Sequence, residues 1–85
     1  MDTKQRFTLV VRELRVLTDK MCIVGKPFGE YKTGDALYIR RSNLPVVKLN
    51  VDFTSFKEDM MEIYVEGVNL PEKVEFAVVT DVEPQ

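Results

Sequence analysis

The sequence predicts an all-β domain, a small closed six-stranded and mostly antiparallel barrel, and three observations carry that prediction. Short apolar segments alternate with polar residues at a period of two over most of the chain, as half-buried strands require. Glycine turns punctuate them, most densely over residues 23–39 (Ile23-Val24-Gly25-Lys26-Pro27-Phe28-Gly29 and then Lys32-Thr33-Gly34-Asp35-Ala36). Turn signals also recur at nearly regular spacing, which implies a barrel or a sandwich. Closing the sheet removes exposed edges, an advantage when the core is small.

The elements follow in order. Residues 7–17 read as a first strand. Phe7, Leu9 and Val11 hold one parity, Leu14 takes the other, and the change near Arg12-Glu13 calls for a β-bulge. Phe7, Val11, Leu14 and Leu17 also fit helical spacing, but the β-branched Thr8, Val10 and Val11 favour strand. Asp19-Lys20 is a turn and residues 21–25 form a second strand, which Lys26-Pro27 is expected to stop because proline lacks an amide hydrogen. Gly25, Gly29 and Gly34 are read as structural turns, with Gly34-Asp35 leading into a third strand over residues 36–40. Residues 41–45 form a loop. Residues 46–53 give the cleanest alternation, with Val47, Leu49, Val51 and Phe53 on one face.

Over residues 54–60 a turn or a single helical turn is expected, because Ser55-Phe56-Lys57-Glu58 matches a capping box. Phe53 and Phe56, with Met60 and Met61, are read as a plug for one barrel end in preference to the alternative, an exposed patch for a protein partner. Met61, Ile63 and Val65 then alternate with Glu62, Tyr64 and Glu66 as a fifth strand. Residues 67–71 make a connection, residues 74–82 the last strand, and Glu83-Pro84-Gln85 a frayed tail.

An 85-residue chain accommodates one domain, with a core over about residues 7–82. Net charge −2 supplies no basic excess for a phosphate backbone, so nonspecific nucleic-acid binding is disfavoured. The single cysteine, Cys22, forms no internal disulfide and is read as a small buried residue. No stretch resembles a signal peptide or reaches the ~20 apolar residues of a membrane span, so a cytoplasmic protein with no membrane partner is the expectation.

Chemistry is sparse. Histidine is absent, which removes the commonest general base and metal ligand; no catalytic residue, cofactor site or metal site is expected. Residues 25–33 superficially resemble a phosphate-binding loop, but the glycines are four apart rather than five and no helix follows Lys32-Thr33. Glu58-Asp59 and Glu62 with Glu66 are carboxylate pairs, read as solvated surface charge. The binding candidates are Tyr38, Arg40, Arg41 and Lys48, which would meet if the third and fourth strands pair. An arginine–aromatic face of this kind could take single-stranded nucleic acid by stacking and charge, but a charged hairpin end that keeps the barrel soluble is the favoured reading.

The order of these elements resembles the second domain of elongation factor Tu and related translational GTPases over about residues 7–80. The resemblance rests on Phe7-Thr8-Leu9-Val10-Val11-Arg12-Glu13-Leu14, on Gly25 closing the second strand, on Gly34-Asp35-Ala36-Leu37-Tyr38-Ile39, and on residues 46–53 leading to an aromatic loop at Phe56. Two departures accompany it. The segment between Gly25 and Gly34 is one residue shorter than usual, and no glycine–acid pair stands at Lys57-Glu58-Asp59. The resemblance implies a non-catalytic barrel that binds a protein or ribonucleoprotein, and none of the family's contact residues carries over. RNA or single-stranded DNA binding is the alternative, a small enzyme or ligand-binding barrel a remoter one, and homo-oligomerisation is open.

Overall fold

The computed structural model describes residues 6–66 and 77–82. Six strands appear in order: β1 (Phe7–Val16), β2 (Lys20–Gly29), β3 (Leu37–Arg41), β4 (Val47–Lys57), β5 (Met60–Glu66) and β6 (Ala77–Thr80). They close in the order β1-β2-β5-β4-β3-β6, with every pairing antiparallel. This is the barrel the alternation predicts. The connection over residues 67–71, the start of the last strand over 74–76 and the tail at 83–85 lie outside the described residues.

Closure depends on β6, which lies between β1 and β3. Val79 pairs with Leu9 on one side and Ile39 on the other, and all three are fully buried. Around them Phe7, Ile23, Leu37, Met61, Ile63 and Val65 fill the interior, each from the inward parity of its strand. Below Val79 the end of the sheet is locked by Asp81. Its carboxylate accepts the N–H groups of Arg6 at 3.1 Å and Phe7 at 3.2 Å, and the Arg6 guanidinium lies 3.7 Å away.

Two bulges set which way side chains point. In β1, Val11 pairs with Gly25 and Glu13 with Val24, so Arg12 is the extra residue that returns Leu14 to the interior. This is the parity change expected at Arg12-Glu13. In β4, Val51 pairs with Val65 and Phe53 with Tyr64, so Asp52 is a second extra residue. Phe53 is thereby turned outward, which corrects its expected place on the face of Leu49 and Val51 and agrees with the alternative reading of an exposed aromatic.

Three other expectations are corrected. β2 runs through Pro27, which pairs with Leu9, because beyond the Gly25–Met61 pair β2 has a neighbour on one side only. Gly25 is therefore not a turn. It lies inside β2, where an added Cβ would meet the Val10 carbonyl oxygen at 2.3 Å; glycine is required there for close backbone approach beside the β1 bulge. Gly29 and Gly34, at φ +85° and +99°, do shape the backbone as expected, with Asp35 N–H donating to the Lys32 carbonyl across the Gly34 turn.

No helical turn interrupts residues 54–60. β4 continues to Lys57, which pairs with Met60 across the two-residue turn Glu58-Asp59. A capping box needs a helix behind it, and the alternation of β5 wins. Glu58 sits at φ 59°, a left-handed conformation costing a side chain about 1 kcal/mol. Glu58→Gly is accordingly expected to raise stability by about 1 kcal/mol, read as a higher urea midpoint at unchanged slope. An unchanged or lower midpoint contradicts this account of the turn.

Candidate functional site

The strands bring three of the four sequence-designated residues together. Tyr38 on β3 pairs directly with Lys48 on β4, and Arg40 lies two residues along the same outward face. Arg40 and Lys48 are exposed and engage no carboxylate among the described residues. Arg41 departs from this group. Alternation turns it to the other side of β3, where it is only 8% exposed and donates from Nη2 to the Pro45 carbonyl at 3.2 Å. Its Nε is buried without a hydrogen-bond partner among the described residues. Arg41 thus braces the β3–β4 turn rather than joining the surface.

The second feature is a groove of about 660 Å³ beside β4, between residues 48–54 and the loop carrying Tyr31, Gly34 and Asp35. It exists because β3 is short. The β3–β4 ladder holds only Leu37–Leu49, Tyr38–Lys48 and Ile39–Val47, while β4 runs eight residues further to Lys57. Among the described residues, β4 is paired over residues 51–57 to β5 alone. Pairing alternates along an antiparallel strand, and the two-residue turn makes Lys57–Met60 a hydrogen-bonded pair. Phe53, Ser55 and Lys57 then direct their backbone groups to β5, and Thr54 and Phe56 direct theirs to the open side. The Asp52 bulge and the charge of Lys57 guard such an edge against indiscriminate pairing.

The charges lining the groove are mostly neutralised. Asp35 accepts the Lys32 N–H at 3.3 Å and lies 3.7 Å from Arg6. Asp52 is 2.7 Å from Lys20 Nζ, and this hydrogen bond first of all raises the Lys20 pKa. Among the described residues, Lys48 is left as the groove's unmatched cation.

Aromatic surface borders the open edge. Phe53 stacks on Tyr64 with ring centroids 4.2 Å apart, and Lys20 Nζ lies 5.5 Å from the Phe53 ring. Phe53 is still 49% exposed and Phe56 67% exposed. They do not plug the barrel, which corrects that expectation. The Asp52 bulge puts Phe53 outside, and Phe56, although of inward parity opposite buried Met61, lies level with the last β2–β5 pair and beyond the end of the β3–β4 ladder. No periodicity in the sequence reveals this. The signal was compositional: two phenylalanines three apart in a segment whose strand and helix readings conflict.

Cys22 is buried as expected, but outside the barrel core. It faces outward between Met21 and Ile23, covered by its cross-strand neighbours Arg15 and Tyr64. Burial, above all, raises its pKa, opposed by the Tyr64 hydrogen bond. The thiol is expected to react with Ellman's reagent at neutral pH at least 100-fold more slowly in the native protein than in urea. Equal rates would show that Tyr64 does not cover it.

Glu13, Glu58 and Glu62 line a second groove of about 290 Å³, where Arg12, Arg15 and Lys57 lie among them. Glu62 lies 3.5 Å from Arg15 and takes the Tyr64 hydroxyl at 3.4 Å, while Glu58 and Asp59 occupy the β4–β5 turn. No group of three potential ligands among the described residues is arranged to hold a metal ion. The segment from Gly25 to Thr33 is strand and loop, so its glycines frame no phosphate-binding helix. No protein-family model, curated protein or solved structure shows significant similarity to this chain.

Proposed function

We propose that the chain is a non-enzymatic binding module that docks a protein partner along β4, on the groove and the exposed rings of Phe53 and Phe56. The supporting observation is the coincidence of a backbone edge that is unpaired among the described residues with two exposed aromatic side chains. Aromatic residues are enriched in protein interfaces because they bury large areas at small entropic cost. The resemblance to a translation-factor barrel that acts as an adaptor supports the same reading, with a cytoplasmic setting.

A second reading has its own observation. Tyr38 between Arg40 and Lys48 offers a stacking ring flanked by cations, suited to single-stranded RNA. The inward turn of Arg41 and the net charge of −2 favour the protein reading.

A photoreactive benzoyl-phenylalanine at Phe56, introduced in the source cells, separates the two. The expected result is discrete protein adducts that survive nuclease and are absent when the probe replaces Asp19. Adducts only with RNA, or none, overturn the protein reading.

A further inference from the structure

The groove beside β4 occupies the track that β3 would fill if it were longer. β3 starts at Leu37, opposite Leu49, and residues 31–36 swing away from β4 and form the far wall. The backbone groups of Thr54 and Phe56 face that vacated track. An isolated phenylalanine patch would suit many partners; an unpaired edge in a groove suits an extended chain, whose own N–H and C=O groups complete the ladder.

Direction and charge follow from the barrel. Every pairing is antiparallel, so a strand continuing the β3 track runs antiparallel to β4, as β3 does. Its C-terminal end then abuts Leu37 and Lys48. Asp35 and Asp52 are held by Arg6 and Lys20, which leaves the Lys48 ammonium to meet an acid there. The free length of β4, residues 51–57, spans about 20 Å at ~3.3 Å per residue, enough for about seven residues. Alternate side chains of the added strand lie beside Phe53 on the outer face and beside Phe56 and Tyr31 on the inner. A second copy of the chain is a poorer occupant in the register that pairs Thr54 of each copy with Phe56 of the other. That register sets Glu58 of one against Asp52 of the other, acid facing acid.

We propose that residues 51–57 of β4 accept an extended, acidic-ended peptide segment of a partner protein as a seventh strand, antiparallel to β4, with its C-terminal carboxylate-bearing residue at Lys48. This rests on the protein-binding reading and specifies how the partner is held.

The test pans a random heptapeptide library against the full chain and titrates recovered peptides into nitrogen-15-labelled protein. The expected peptides carry an acid in their C-terminal half, shift the amides of residues 51–57, and slow hydrogen exchange at Thr54 and Phe56 at least tenfold. Thr54→Pro removes a donor on the open side while sparing the β5 ladder, and it is expected to weaken binding at least tenfold with the circular dichroism unchanged. Lys48→Glu is expected to weaken acidic peptides at least tenfold. It settles the charge claim even if Thr54→Pro does not fold.

Peptides that bind without protecting Thr54 and Phe56, or equally well to Lys48→Glu, overturn the added strand. Peptide-free dimerisation with the same two amides protected assigns the edge to a second copy and overturns it as well. Crosslinks from Phe56 to protein alongside either result leave the protein-binding reading standing. No peptides together with no protein crosslinks remove both.

Discussion

Gly25→Ala is expected to destabilise the barrel by about 3 kcal/mol, at the upper end of overpacking costs. The added methyl would sit 2.3 Å from the Val10 carbonyl oxygen and 2.9 Å from Leu9 Cγ. Neither neighbour can yield cheaply. Val10 is held between β2 and β6, opposite Lys26 and Val78, and Leu9 is fully buried beside Val79. For a domain of this size the loss corresponds to a fall in Tm of about 12–24 °C, followed by circular dichroism. Gly34→Ala makes the informative comparison. A Cβ there meets nothing within 4 Å, but φ is +99°. Its cost is backbone strain of about 1 kcal/mol, which asparagine at the same position partly relieves. Equal Tm values for Gly25→Ala and the parent would contradict the close approach of β1 and β2.

Ile63→Ala is expected to cost 2–5 kcal/mol in roughly the usual range for emptying a core site. Ile63 is fully buried at the middle of β5, opposite Ile23 on β2 and Thr54 on β4. The closed sheet supports this position from both sides, so the surroundings cannot collapse far into the space left. A domain of this length has about 4–13 kcal/mol in total, at roughly 0.05–0.15 kcal/mol per residue, so the variant lies near the unfolding threshold. Val16→Ala, at an exposed strand end, is expected to change stability by no more than about 0.5 kcal/mol. Urea titrations of the pair test the inward set directly, and similar midpoints would show that the interior is not where the alternation puts it.

Much of this fold is legible because alternation is a local property. The inward set Met61, Ile63 and Val65 is visible in the sequence, and so is the bulge near Arg12, since Leu9 and Leu14 cannot share a face without an extra residue between them. The Asp52 bulge is not legible. Val47, Leu49, Val51 and Phe53 alternate without a break, and only pairing with β5 shows that Phe53 has changed sides. Pro27 misleads for a related reason, because proline ends a ladder only where a neighbour needs its hydrogen, and β2 has lost that neighbour by then.

The candidate surface is partly legible. Tyr38, Arg40 and Lys48 meet as the predicted pairing of the third and fourth strands requires, while the adjacent Arg41 must face the other way. The groove was not legible at all. It results from the unequal lengths of β3 and β4, and strand ends are set by which neighbour is present rather than by local composition.

Hydrogen exchange of individual β4 amides in the free protein, followed by nuclear magnetic resonance, tests the open edge most directly. Phe53 and Ser55, bonded to β5, are expected to exchange at least 100-fold more slowly than Thr54 and Phe56, which face the groove. Equal protection at all four would show that the edge is already occupied, leaving no place for a partner strand.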